Sequence, residues 1–352
     1  MSGTDTLRDQ PITIIGAGAI GGTVGAFLTD AGYDVTLVDV VPEHVEVMNR
    51  EGLRISGVRG DRRYPVKAVH ADDLQGPLGA TFLCVKGHFT EDAIKRYGPM
   101  LADDGFVLSI QNGLNEEIIA QHIGRERTVG CFVHFGADYL EPGHILLGNE
   151  QTMYPGELDG SITPRVEAIR DALSHVMPVE ITTNIWGFLW GKLVYGAMAF
   201  VVSTVDATVP EVLDNDLGRM LARLAAQEAY LIGSAQADKL EMIGEFNPNA
   251  FAPGDDADER ADAELGALAD SMRGAIKQHM GIWRDLAIKK RRSEVDMQSA
   301  VIVEYGERLG IGTPVNAATV QVIHEIERGE RGMGWENLDD IARLAGVNVP
   351  TI

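Results

Sequence analysis

Six residues near the start of the chain, Gly16-Ala17-Gly18-Ala19-Ile20-Gly21, have the composition and spacing to hold a pyrophosphate. They follow the apolar, β-branched run Ile12-Thr13-Ile14-Ile15. Ile20, Val24, Phe27 and Leu28 then recur at helical spacing, so a buried strand passes into a helix through glycines. Gly16 permits the tight turn, Gly18 lets a phosphate approach the backbone, and Gly21 lets helix and strand pack closely. Free amides of the first helical turn and the helix dipole favour the negative charge. A second apolar strand, Val35-Thr36-Leu37-Val38, ends in Asp39, about 20 residues past the glycines, where a carboxylate can accept both hydroxyls of an adenosine ribose. A dinucleotide is the expected ligand. Far along the chain, Lys192 is the one charge inside the apolar stretch Gly187 to Val205. Desolvation there loosens a lysine's proton, which suits a general acid; a lysine snorkelling out of a buried helix is the other reading.

The elements that position these residues fall into two groups. Up to about residue 183, strand and helix signals alternate: a helix over 43–52, then strands at Thr81–Val85, ending at Lys86, and at Phe106–Ile110, ending at Gln111-Asn112-Gly113. Further strands are expected at Val129–Phe135 and Val179–Thr183. Such alternation predicts a mostly parallel sheet covered on both faces, with ligands at the carboxyl ends of its strands, where Lys86 and Asn112 fall. From Asn184 the period is helical, with helices expected at 185–204, 210–240, 265–290, 294–309, 315–328 and 337–344. The chain therefore divides into an α/β domain over 11–183 and a helical domain over 184–345. Residues 246–264, with Pro248, Pro253, Gly254 and the acids Asp255, Asp256, Asp258 and Glu259, read as a mobile, solvated loop.

A chain of 352 residues can bury a sizeable core in each of two domains. Its net charge of −22 argues against nucleic acid and anionic membranes as partners, since both are polyanions. The two cysteines, Cys84 and Cys131, sit in apolar runs and read as buried thiols of a reducing compartment. The polar segment Met1 to Gln10 lacks the layout of a signal peptide, and the Gly187–Val205 stretch is too short and broken for a membrane span. The expectation is a cytoplasmic protein with no metal, His134 and His144 being structural or loop histidines. Lys289-Lys290-Arg291-Arg292 reads as a solvated helix end or a charge partner for the acidic loop.

Together these motifs resemble the ketopantoate reductase family. The glycine motif, Val85-Lys86, Gln111-Asn112-Gly113, Trp190-Gly191-Lys192-Leu193, Ser293-Glu294-Val295-Asp296 and Gly310-Ile311-x-x-Pro314 come in that family's order, from about Ile12 to Glu327. The resemblance implies a Rossmann-type doubly wound sheet followed by an all-helical domain of the 6-phosphogluconate dehydrogenase C-terminal type, with the active site between them. It implies hydride transfer between a nicotinamide and a 2-oxo or 2-hydroxy acid. By the same resemblance Lys192 is the catalytic lysine, Asn112 holds substrate near the nicotinamide, Glu294 binds the substrate's hydroxyl and Lys86 lies by the cofactor. A homodimer follows by analogy. The residue types alone also allow Asn112 as a turn residue and Glu294 as a first-turn helix acid capped by Ser293.

Three departures from the family bear on function. The family carries a basic residue after its second strand and prefers NADPH; here Asp39 is followed by Val40-Val41-Pro42, which predicts NAD(H). Asparagines expected one and two turns after the lysine are Gly196 and Phe200, on the lysine's face of the helix, so the substrate pocket is expected to be roomier and more apolar there. The segment Trp283 to Glu294 lacks an upstream serine and carries one extra residue after Asp285. These departures leave room for a catabolic dehydrogenase of the same fold acting on a bulkier hydroxy compound, or for a non-catalytic NAD-binding sensor.

Overall fold

The computed structural model describes residues 7–274 and 278–348. Two compact units divide the chain, one ending at Ile185 and the other starting at Trp186.

In the first unit the strands are β1 (Ile12–Ile15), β2 (Val35–Asp39), β3 (Leu53–Gly57), β4 (Arg62–Tyr64), β5 (Lys67–His70), β6 (Leu78–Leu83), β7 (Leu101–Ser109), β8 (Thr128–Phe132), β9 (Ala137–Glu141), β10 (His144–Leu147) and β11 (Tyr154–Glu157). Its helices are α1 (Ala19–Asp30), α2 (Pro42–Glu51), α3 (Thr90–Tyr97), α4 (Asn115–Ile123) and α5 (Pro164–Leu173). Seven strands form one sheet in the order β11-β8-β7-β6-β1-β2-β5, parallel except for β11 at the edge, which runs antiparallel to β8. Every residue of β1 is buried, the mark of a strand covered on both faces. The chain winds outward from β1 through β2 to β5, then returns to the other side of β1 at β6. That switch places the loops after β1 and β6 side by side at the carboxyl edge of the sheet.

A second sheet, β4-β3-β10-β9, was not among the expected elements. Its signal was the Pro142-Gly143 turn, where Gly143 takes a φ of 76° between β9 and β10. The strand expected at Val179–Thr183 is reduced to a single bridge between Val179 and Met153, and the sheet's edge is built by Tyr154–Glu157 instead.

The second unit contains α6 (Ile185–Val202), α7 (Val209–Asp214), α8 (Asp216–Ser234), α9 (Ala257–Arg273), the short α10 (Gly281–Trp283) running into a π-helical turn at Arg284–Ile288, α11 (Ser299–Leu309), α12 (Pro314–Glu327) and α13 (Glu336–Leu344). The helix expected over 210–240 breaks at Asn215, whose side chain accepts the Gly218 amide at 2.9 Å and starts α8. In the helix expected over 265–290, Ala275 to Lys277 lie outside the described residues. α6 is long and apolar enough to cross a bilayer, yet 83% of it is buried inside the protein. Trp190 packs edge-on against Tyr305, with ring centres 5.1 Å apart.

The acidic segment is not the open loop its composition suggests. Phe251 is buried at the end of a 3-10 turn, and α9 begins at Ala257. Arg260 binds Asp256 at 2.9 Å, and Arg223 of α8 binds Asp258 at 3.0 Å and Asp262 at 3.4 Å. Arg291 and Arg292, offered above as partners for that loop, bind Asp285 and Asp296 instead. Nearby, Glu228 of α8 accepts the Val315 and Asn316 amides at 2.9 Å each, closing the N-terminus of α12 with a carboxylate.

Candidate functional site

The glycine loop has the geometry that its spacing predicts. Gly16 sits at φ 94°, and a Cβ there would lie 2.9 Å from the Val85 amide nitrogen. A Cβ at Gly21 would run into the Gly16 carbonyl oxygen and stand 2.9 Å from the Cys84 Cβ. At Gly18 a Cβ would meet nothing within 4 Å. Two glycines are therefore dictated by the protein's own packing, while Gly18 borders open space where α1 begins without any side-chain cap. A dinucleotide's pyrophosphate fits this cradle: uncapped amides, a helix N-terminus and a backbone position kept bare for no internal reason.

Asp39 lies beside the loop, at the end of β2. Its Oδ2 accepts the Ala17 amide and its Oδ1 accepts the Val41 amide, each at 3.0 Å. A carboxylate offers about four acceptor directions, so two remain after these bonds are made. Val40 and Val41, 69% and 41% exposed, follow it. His70, opposite Asp39 in register, contacts the Val40 carbonyl through Nε2 at 3.2 Å and accepts the Asp72 amide at Nδ1 at 3.3 Å.

Lys86 and Asn112 occupy the neighbouring loops after β6 and β7, both half-buried. A chain of buried hydrogen bonds fixes these loops. Gln111 Nε2 donates to the Val85 carbonyl and to Thr90 Oγ1, 2.8 Å each, and Thr90 Oγ1 donates to Asn115 Oδ1 at 2.8 Å. Asn115 Nδ2 then donates to the Asn112 carbonyl at 2.6 Å. Gly113, at φ 93°, makes the turn. Gln111, Thr90 and Asn115 were not foreseen as supports; the Gln-Asn-Gly run carried the only hint. Next to Asn115, Glu116 is wholly buried, and desolvation outweighs the hydrogen bonding of its own backbone and of Ser109 and pushes its carboxyl up to about 7.

In the helical unit, Lys192 is half-buried on α6, and Gly196 lies one turn on, buried. The space a Cβ would fill at Gly196 is taken by Gln298, whose Oε1 would be 2.7 Å from it. Gln298 stands four residues after Glu294, itself half-buried at the entry to a 3-10 turn over Val295–Met297. The expected roominess at Gly196 is thus occupied by an amide, a residue that sequence reasoning missed because it comes from a segment about 100 positions away. Phe200 departs from expectation: it is 0% exposed in a core cluster with Leu286, Val295 and Ile323, so its ring is packing rather than open pocket lining. The extra residue after Asp285 coincides with the π-helical turn, which absorbs one additional residue in a helix. Ser293 bonds Glu327 through its amide and hydroxyl, at 2.7 and 2.6 Å, and its oxygen also takes the Val295 amide at 3.3 Å.

His144 accepts or donates to Ser56 at 2.8 Å, and His134 stacks on Phe132. Among the described residues no cluster of His, Cys, Asp or Glu has metal-binding geometry. Neither Cys84 nor Cys131 is in a disulfide, and burial pushes the Cys84 thiol up.

Comparison with known proteins agrees with this arrangement. Residues 12–160 match the family described as ketopantoate reductase PanE/ApbA, and residues 184–327 match its C-terminal counterpart. The chain is 28% identical over 326 residues to 2-dehydropantoate 2-reductase of Archaeoglobus fulgidus, covering 92% of this chain and all of that one. It is 28% identical over 308 residues to the Pyrococcus horikoshii 2-dehydropantoate 2-reductase, covering 87% and 93%. Among solved structures, D-mandelate dehydrogenase with NADH and anilino(oxo)acetate superposes with a TM-score of 0.78 at 20% identity, over 91% of this chain and 99% of that one. A PanE/ApbA family ketopantoate reductase from Ralstonia eutropha gives 0.75 at 24% identity, again over 91% and 99%. A Rossmann-like sheet domain with a helical C-terminal domain is their shared fold. With glycine loop, strand-end acid and helix-borne lysine all in place, the chain belongs to the ketopantoate reductase family: it is an oxidoreductase acting on CH–OH groups with a nicotinamide cofactor.

Proposed function

We propose that this oxidoreductase works with NAD(H), interconverting a 2-oxo acid and its 2-hydroxy acid or a related carbonyl and alcohol, with Lys192 as general acid and base. The observation that carries the cofactor choice is the end of β2. Asp39 keeps two acceptor directions for a ribose diol, and the residues after it are exposed valines rather than a cation. A 2′-phosphate there would face a carboxylate, with Glu43 in the first turn of α2 adding a second negative charge.

A bound nicotinamide supplies or accepts the hydride. The chain's own groups manage the oxygen. Reduction leaves negative charge on the former carbonyl oxygen, which needs a proton or a cation; oxidation needs the reverse. Lys192, the sole charged residue of α6, carries such a proton on a rigid, buried helix. Asn112, held through its backbone by Asn115, and Glu294 orient the substrate, while Lys86 stays with the cofactor. Gln298 supplies an amide on the lysine's face where Gly196 has none. The protein is further proposed to be a cytoplasmic homodimer.

The relatives named above act on 2-dehydropantoate, and that is the first substrate to test. The second reading, a dehydrogenase of bulkier hydroxy acids in a degradative route, is favoured by the altered face after Lys192 and by the structural neighbour that binds NADH. A nicotinamide-fluorescence screen of oxo acids with NADH and hydroxy acids with NAD separates them. Brisk reduction of 2-dehydropantoate establishes the first; turnover confined to aryl or branched hydroxy acids establishes the second. Cofactor binding with no turnover of any member points to a sensor.

A further inference from the structure

His44, on α2, is 0% exposed and lies in none of the motifs discussed above. Its two ring nitrogens have different partners. The Gly143 amide, in the turn between β9 and β10, donates to Nδ1 at 2.9 Å. Nδ1 is therefore an acceptor and the proton sits on Nε2. Nε2 is 2.9 Å from the Ala17 carbonyl oxygen, in the middle of the glycine loop. The Tyr139 ring of β9 packs edge-on against the imidazole, centres 5.0 Å apart, and holds its plane.

Ala17 is consequently fastened at both ends. Its amide donates to the Val38 carbonyl at 3.2 Å and to Asp39 at 3.0 Å, and its carbonyl accepts from His44. The Ala17 carbonyl and the Gly18 amide belong to one rigid peptide plane and point in opposite directions. Drawing the carbonyl toward the buried imidazole turns the Gly18 N–H away from it. Gly18 is the residue of the loop that borders open space, and its own carbonyl is occupied by the Gly22 amide at 2.8 Å.

We propose that His44 is the positioning residue of the cofactor site: through Ala17 it aims the Gly18 amide at the cofactor's pyrophosphate, and the β9–β10 turn sets the tautomer that makes this possible. The second sheet then has a role in the reaction's cofactor, since it supplies the Gly143 amide, the Tyr139 ring and Ile145, which packs over Gly22 of α1. The inference rests on the reading of Gly16–Gly21 as the pyrophosphate cradle.

Two substitutions divide the ring's functions. A glutamine amide nitrogen reaches the place of Nε2, whereas an asparagine reaches only the place of Nδ1. His44→Gln keeps the bond to Ala17; His44→Asn keeps an acceptor for Gly143 and loses Ala17. Wild type and both variants are titrated with adenosine, with ADP-ribose and with NADH. His44→Asn is expected to weaken ADP-ribose and NADH by about tenfold, with adenosine and kcat within about twofold. His44→Gln is expected to stay within about threefold of wild type throughout. Unchanged ADP-ribose affinity in His44→Asn, or equal losses of adenosine and ADP-ribose, overturns the proposal. Wild-type protein that ignores both ADP-ribose and NADH refutes the cradle itself, a separate result. Should His44→Asn not fold, nitrogen-15 NMR of the wild-type imidazole decides: a proton on Nε2 that persists with ADP-ribose bound is required, and a proton on Nδ1 overturns the assignment.

Discussion

The Asp39 carboxylate reaches back to the Ala17 amide, Oδ2 to N at 3.0 Å, so the end of β2 and the glycine loop after β1 form one hydrogen-bonded piece. A substitution at Asp39 therefore acts twice, on the charge at the proposed ribose position and on the anchoring of the loop.

Cofactor preference follows from that piece. NADH is expected to be used at least about tenfold better than NADPH, judged by kcat/KM, because a 2′-phosphate would meet the Asp39 carboxylate. Asp39→Asn keeps an acceptor for the Ala17 amide and removes the charge, so it is expected to raise NADPH efficiency more than it lowers that of NADH. A wild-type preference for NADPH by the same factor refutes the assignment.

Lys192→Ala is expected to lower kcat by about 10²–10⁴-fold while NADH affinity, measured by fluorescence titration, stays as it was. The separation is expected because the glycine loop and Asp39 lie in the first unit and Lys192 is on α6 of the second. Full activity in the variant would remove Lys192 from the mechanism.

The glycines offer a contrast. Gly18→Ala puts a methyl group where the protein has nothing within 4 Å, so its unfolding free energy is expected to stay within about 1 kcal/mol of wild type while ADP-ribose affinity falls. Gly21→Ala drives the methyl group into the Gly16 carbonyl and toward Cys84, and is expected to cost about 2–3 kcal/mol of stability. Denaturation midpoints beside ligand titrations read both. A strongly destabilised Gly18→Ala would mean that packing, not ligand approach, requires that glycine.

Glu116 imposes a pH dependence on stability. Its carboxyl ordinarily titrates near 4.5 and is raised to about 7 by burial, so between these values the folded protein holds a proton that the unfolded chain has released. Stability is therefore expected to fall as pH rises from 4.5 to about 7, by at most about 3 kcal/mol from this group, and to level off above. Glu116→Gln is expected to flatten that slope and to be more stable than wild type at pH 8. Parallel stability curves for the two proteins would show that Glu116 does not titrate in this range.

Much of the first unit could be read in the chain because its signals are local. Strand β1, the glycines, α1, β2 and Asp39 follow one another within 28 residues, and each residue type has a reason that its neighbours supply. The second sheet was invisible for the opposite reason: β3 pairs with β10 across about 90 residues, and the short strands β3, β4, β9 and β10 are made by their partners rather than by their own periodicity. The acidic run at 255–259 had loop composition, yet Arg223 and Arg260 give its charges partners, and α9 starts within it.

The sequence by itself determined the glycine loop between strand and helix, the acid that follows it, the lysine in its apolar helix and the family to which these belong. Those features lie within single elements, where spacing alone decides which residues share a turn or a face. Only the tertiary structure decided what surrounds them. It put Gln298 in the space beside Gly196, sealed Phe200 into the core, and set His44 between Ala17 and Gly143. Each of these joins residues far apart in the chain, and no local period or propensity records which distant side chain folding will bring to a given face.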